Sequence, residues 1–355
     1  MKSLYLFVLV VLLSIPVTAQ TEQEVHFGKD STILSGTLTI PQGEGPFPAV
    51  VLVSGSGPQD RDSQILGFRP FKILADSLSP LGFAVLRYDD RGTGKSTGRN
   101  VNLSTSEELA EDAHEAVKFL RTHNDIDPTR IGIIGHSEGG IIAPKVASRD
   151  KDVAFIVLMA GFGLKGLELS NAQSAAIMKA SGMNEDYIQM ANGLNTKVLD
   201  MMSRSDMTEE ALEAFIIKET VAMVEFMPET YKSSITDPQA YAKQQAKGAI
   251  AQFKSPWIQY YMTYDPAPTL AQVKCPVLML FGALDTQVLA SQNEHIMRSI
   301  LMDSGNTDVT TKVFEKSNHL FQEAKTGTPQ EYAFLKKEFD PAFLPFLSEW
   351  LSGVK

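Results

Sequence analysis

Five stretches of this chain, residues 49–53, 83–87, 131–134, 153–159 and 277–281, are apolar almost from end to end and only as long as a strand. A strand with one solvated face alternates polar with apolar residues. One that is apolar throughout must be covered on both faces, which points to a mainly parallel sheet with helices on either side. The segments between these runs fit: Leu109, Ala113, Ala116, Val117 and Leu120 make one helical face, opened by a capping box of Ser104 and Glu107. Residues 309–314 read as the last strand. Residues 25–29 and 32–40, on either side of a polar turn at Asp30, read as an antiparallel opening hairpin. The order is otherwise βαβα, and the fold class is α/β.

The alternation fails once. Residues 162–268 contain no buried strand, only helical patterning, and are expected to form a helical lid inserted into one core domain of residues 20–161 and 269–355. Nine of the 14 methionines lie in that insertion, and flexible, polarizable methionines suit a wall that repacks around apolar ligands. Residues 1–19 are set apart. Lys2, the apolar run 4–13, Pro16 and the small residues before Gln20 have the form of a signal peptide. The run is short for a membrane span, so the mature chain is expected to be exported, periplasmic or secreted, without stable membrane insertion. Cys275 is the only cysteine, which excludes an intrachain disulfide or a cysteine-built zinc site. A net charge of −10 offers no footprint for nucleic acid.

Chemistry enters at Gly135-His136-Ser137-Glu138-Gly139. A GxSxG string by itself is weak, but this one follows the strand at 131–134 and opens a helix. That context turns a serine into an exposed nucleophile at a sharp elbow. A serine hydroxyl needs a base, and the base needs an orienting acid. With such an elbow the chain order is Ser, acid, His, the last two in loops after late strands. His319 follows the strand at 309–314, whereas His295 sits in an amphipathic stretch and His26, His114, His123 and His136 are assigned structural or surface places. Asp285 follows the strand at 277–281 and outranks Asp265 and Asp303. The oxyanion hole needs two backbone N–H donors. Glu138 supplies one, and Ser56, in the glycine-rich turn 54–58 after the first buried strand, the other. Gly94-Lys95-Ser96 resembles the end of a phosphate-binding loop, but Asp89 stands where its first glycine should, so nucleotide binding is rejected.

These residues, with Leu34-Ser35-Gly36-Thr37-Leu38, Gly55 to Asp62, Asp90 to Ser96, Ser255-Pro256-Trp257, Asp265-Pro266 and Asn318-His319, resemble the α/β-hydrolase superfamily. The likeness is to bacterial carboxylesterases of the EstD type, in the serine aminopeptidase-like branch. The resemblance implies an α/β-hydrolase fold, a Ser137–Asp285–His319 triad and ester hydrolysis, and places the insertion as a lid between two late strands. Ser54 departs from the family by replacing the usual histidine before the oxyanion glycine. The expected activity is hydrolysis of small-molecule esters with short to medium acyl groups, without metal or cofactor. Trp257, Tyr260 and Tyr261 are candidate substrate-wall residues. Two alternatives stay open: an exported amide or aminopeptidase-like hydrolase, with Glu168 or Glu213 capturing an amine, and a non-catalytic binding protein.

Overall fold

A computed structural model describes residues 20–354; the leader expected at residues 1–19 lies outside them. Strands β1 (Thr21–Lys29) and β2 (Thr32–Ile40) form the antiparallel hairpin, turning at Asp30 with φ +56°. Then follow β3 (Phe47–Val53), α1 (Pro70–Leu78), β4 (Ala84–Tyr88), α2 (Ser106–Arg121), β5 (Ile126–His136), α3 (Gly139–Arg149) and β6 (Phe155–Met159). The chain leaves the sheet for α4 (Gly166–Ala180), α5 (Glu185–Met202), α6 (Glu209–Val224), α7 (Glu229–Lys232), α8 (Pro238–Phe253), α9 (Pro256–Thr263) and α10 (Ala267–Leu270). It returns as β7 (Val277–Gly282), α11 (Ala290–Asp303), β8 (Val309–Phe314) and α12 (Phe343–Gly353).

The eight strands stand in the order β1-β2-β4-β3-β5-β6-β7-β8. Only the pairs β1–β2 and β2–β4 are antiparallel. All six strands expected after the hairpin are present, and β4, β6 and β7 are buried along their whole length. One local expectation needs correction. The cap of α2 is Thr105 with Glu108, which exchange hydrogen bonds between side chain and backbone, because Ser104 closes the preceding 3₁₀ turn with its hydroxyl donating to the Asn100 carbonyl at 3.2 Å.

Helices α5 to α9 have a core of their own: Val198, Leu212, Ile216, Ile250, Phe253, Ile258 and Met262 are buried together, with Met201, Met202 and Met207 packed against them. Four of the nine methionines of the insertion thus belong to its interior. Tyr264, although inside the stretch 162–268, packs into the main core. Among the described residues no helix is long and apolar enough to cross a membrane.

Candidate active site

Strand β5 ends at His136, and the chain reverses into α3 through Ser137, whose φ is +56°. A side chain there is strained, because in the left-handed region Cβ crowds the backbone. The turn is held from both sides. The Ser137 N–H donates to the Met159 carbonyl of β6 at 2.8 Å. A Cβ at Gly135 would stand 2.0 Å from the Gly139 carbonyl oxygen, and one at Gly139 2.2 Å from that of Val53. Only glycines let strand, turn and helix pass this closely.

Beyond β8, His319 is buried, and its Nδ1 lies 2.8 Å from Asp285 Oδ2. An ionised carboxylate only accepts, so Nδ1 carries the proton and Nε2 keeps its lone pair. The other oxygen of Asp285 accepts the backbone N–H groups of Gln287 at 2.7 Å and Val288 at 2.9 Å, which fixes the carboxylate plane. Asn318 braces the histidine loop by accepting the Leu320 and Gln322 amides. Ser137 and His319 line one cavity of about 520 Å³.

His136 is not a bystander on the turn. Its Nε2–H donates to the His319 backbone carbonyl at 2.9 Å, and the two rings lie 4.8 Å apart. Burial pushes the His136 imidazole down to about 3, so it stays a neutral donor that holds the His319 backbone. The other histidines lie apart: His114 pairs with Asp150, His123 with Asp125, His26 is exposed, and His295 borders a separate surface hollow with Glu168.

The turn after β3 carries Ser56 to the cavity wall. Ser54 Oγ donates to Asp90 Oδ1 at 2.8 Å, the Gln59 amide donates to Asp90 Oδ2 at 2.9 Å, and Arg61 forks onto Asp89. Burial raises the Asp90 carboxyl to about 8. Ser96, in the rejected phosphate-loop look-alike, donates its hydroxyl to the Asp89 carbonyl at 2.6 Å; that segment is a brace for the turn. Among the described residues neither the Ser56 N–H nor the Glu138 N–H donates to another group.

The side chain of Glu138 is a feature that sequence reasoning missed. Its buried carboxylate accepts the Ser106 hydroxyl at 2.5 Å and the Trp257 indole N–H at 2.9 Å. Burial pushes its carboxyl up, against hydrogen bonds from Ser106, Trp257 and Ser56. One carboxyl therefore joins the oxyanion turn, α2 and lid helix α9. The only sequence signal is an acidic residue at an elbow position that must be buried.

Trp257 and Tyr261 line the cavity, stacked with ring centroids 5.1 Å apart, and Met262 joins them. Tyr260 does not. Its hydroxyl accepts from Lys145 Nζ at 2.6 Å and donates to Glu107 at 3.3 Å, which turns the ring toward α3 and makes it a strut under the lid. Of the nine lid methionines only Met262 reaches the cavity. The wall also contains Gln59, which the sequence reading names only within the Gly55 to Asp62 motif, and Gln173, Gln252, Gln287 and Tyr332, which it does not single out.

Comparison with known proteins agrees with this architecture. The family described as serine aminopeptidase, S33, matches residues 69–231, and the prolyl oligopeptidase family matches residues 221–342. Esterase EstD of Thermotoga maritima is 31% identical over 328 residues, which cover 91% of this chain and 67% of that protein. Among solved structures, the Pyrococcus furiosus esterase Pf2001 superposes with a TM-score of 0.55 at 17% identity, covering 94% of this chain and 91% of the other. The α/β hydrolase GrgF from a Penicillium species does so with the same score and identity, covering 94% and 98%.

Proposed function

Because the chain belongs to the α/β-hydrolase superfamily, in the branch of Esterase EstD, and is a hydrolase, we propose that it is a serine carboxylesterase acting through Ser137, His319 and Asp285. The observation that carries this reading is the His319–Asp285 pair at 2.8 Å, with Asp285 pinned by two amides, on the cavity that Ser137 enters from its strained turn. His319 Nε2 removes the Ser137 proton as Oγ attacks the ester carbonyl, and the imidazolium is stabilised by Asp285. The Ser56 and Glu138 amides receive the oxyanion. His319 then protonates the leaving alcohol. In the second half it takes a proton from water, hydroxide attacks the acyl-enzyme, and the acid leaves as Ser137 recovers its proton.

Amide cleavage by capture of a free amine has weaker support. Glu168 borders a different hollow, Glu213 lies on α6, and among the described residues no carboxylate side chain lines the cavity, Asp285 lying behind His319. The mature chain is expected to turn over a nitrophenyl ester and not an aminoacyl nitroanilide, and a fluorophosphonate should form its adduct on Ser137. The reverse preference, or an adduct elsewhere, overturns the reading. A walled cavity also predicts that acetyl to hexanoyl esters give higher kcat/KM than palmitoyl esters, with each methylene adding at most ~0.8 kcal/mol until the space is full. A steady rise to palmitoyl refutes it. Export follows from the leader, and is tested by finding the chain outside the cytoplasm, cut before Gln20.

A further inference from the structure

We propose that the alcohol half of the ester is a carbohydrate, so that the preferred substrates are acylated neutral sugars; this rests on the esterase reading above. Three properties of the cavity lead there.

The first is its lack of charge. Among the described residues the ionisable side chains on its wall are histidines and tyrosines, with no Asp, Glu, Lys or Arg. A substrate carrying a carboxylate, phosphate or ammonium would surrender its hydration here without an ion to meet it. Neutral molecules are the ones this wall accepts.

The second is a surplus of neutral hydrogen-bonding groups in addition to the hydrolytic residues. Gln59, Gln173, Gln252 and Gln287 come from four different elements or loops, and Ser63 and Ser170 stand among them. Each amide offers two donors and an acceptor, and each hydroxyl offers both roles. Two of these groups form a line with Tyr332: Gln173 donates to Gln287 Oε1 at 3.3 Å, and Gln287 donates to the Tyr332 hydroxyl at 2.8 Å. Among the described residues the side chains of Gln252, Ser63 and Ser170 have no hydrogen-bond partner in the protein. A purely alkyl ester would cover these groups and leave them unpaired, which is costly. Sugar hydroxyls, each both donor and acceptor, pair with them.

The third is the apolar remainder. Trp257 and Tyr261, with Ile65 and Leu66, flank the same space. Aromatic faces beside amides suit a ring that has C–H faces and a hydroxyl rim. A sugar is chemically an alcohol, so it enters as the leaving half of the ester, and the acyl group is the short one the walled cavity accommodates.

A buried site built to bond a substrate hydroxyl rejects an analogue lacking it by about 10⁴. Here Gln252 and Leu66 are exposed, so water can replace part of the lost bonding and a preference of about 10- to 100-fold is expected. The test compares kcat/KM of the mature chain on an acetylated methyl glycoside, cyclohexyl acetate and glyceryl triacetate, with nitrophenyl acetate as the control for esterase activity. The glycoside should lead both other acetates by at least about tenfold. Gln252→Leu and Ser170→Ala should each lower the ratio of glycoside to cyclohexyl acetate severalfold. If nitrophenyl acetate is hydrolysed while cyclohexyl acetate matches the glycoside, the carbohydrate assignment falls and the esterase reading stands. Glyceryl triacetate equal to the glycoside overturns it equally, in favour of any small polyol ester. Ratios unmoved in both variants also overturn it. Failure on all four esters brings down the esterase reading itself.

Discussion

Replacing Ser137 by glycine should make the protein more stable than replacing it by alanine, although both changes abolish the same hydroxyl. Ser137 sits at φ +56°, where an L-residue bearing Cβ costs roughly 1–2 kcal/mol and glycine costs nothing sterically. Glycine returns about 0.4–1 kcal/mol of that as added freedom of the unfolded chain. The half-buried position makes the loss of one methyl a small further term. The balance is about 0.5–1 kcal/mol in favour of Ser137→Gly, or ~2 °C in melting temperature for a domain of this size. Alanine is the right reference because it keeps Cβ and removes only the nucleophile. Urea unfolding of the two variants, with midpoint and slope fitted together, measures the difference directly. Both should lose about 10⁶ in kcat toward a nitrophenyl ester, since the covalent route disappears. If Ser137→Gly is no more stable than Ser137→Ala, the turn stores no Cβ strain; if either variant keeps its turnover, Ser137 is not the nucleophile.

Asp285→Asn should lower kcat by about 10⁴, because an amide favours the wrong imidazole tautomer and cannot stabilise the cation; a fall under tenfold would remove Asp285 from the triad. His319→Ala should be crippling and His295→Ala nearly silent in the same ester assay, and the opposite pattern would move the base onto α11. Trp257→Phe keeps the stack on Tyr261 and deletes one donor to the buried Glu138 carboxylate, which should cost about 1–3 kcal/mol. Thermal denaturation and KM both unchanged would refute the indole as a lid anchor. Asp90, raised from the ordinary carboxyl range to about 8, keeps a proton in the folded state that the unfolded chain has lost. Its contribution is therefore full at low pH and falls as pH rises toward about 8, by up to ~1.4 kcal/mol per unit. The melting-temperature penalty of Asp90→Asn should accordingly shrink from pH 5 to pH 9, and a penalty that grows with pH would contradict the sign.

The parts of the site that the sequence reveals are those whose backbone is unusual. Gly135 and Gly139 stand where any Cβ would strike a carbonyl; Asp285 follows a strand that is an apolar run and His319 follows the last strand, so strand end and turn residue mark them together. The cap of α2 lies one residue beyond the first capping pattern, since Ser104–Glu107 and Thr105–Glu108 both have the form of a capping box and only the 3₁₀ turn at Asn100 selects the second. Tyr260 and Tyr261 are adjacent on one helix, and about 100° of rotation separates a strut on Lys145 from a cavity wall. The sequence has no means to choose between them before the lid is docked. The same holds for His136, whose role depends on a loop nearly two hundred residues away.

The glutamines of the cavity show where such reading stops and why. Gln59, Gln173, Gln252 and Gln287 are dispersed along the chain, and a glutamine on a helix is by composition a surface residue. Only the closing of α4 and α8 over the strand ends turns these four into one surface. The hydrolytic groups, by contrast, stand at the ends of β5, β7 and β8, where the parallel ladder fixes them relative to one another. Chemistry and recognition therefore rest on different supports: the first on a sheet whose register cannot slip without moving a whole apolar face, the second shared between core loops and a helical insertion with its own core. Substitutions at Gln252 or Ser170 should consequently change which ester is chosen and leave the His319–Asp285 contact in place, whereas a change at Gly139 should disturb that chemistry for every ester alike.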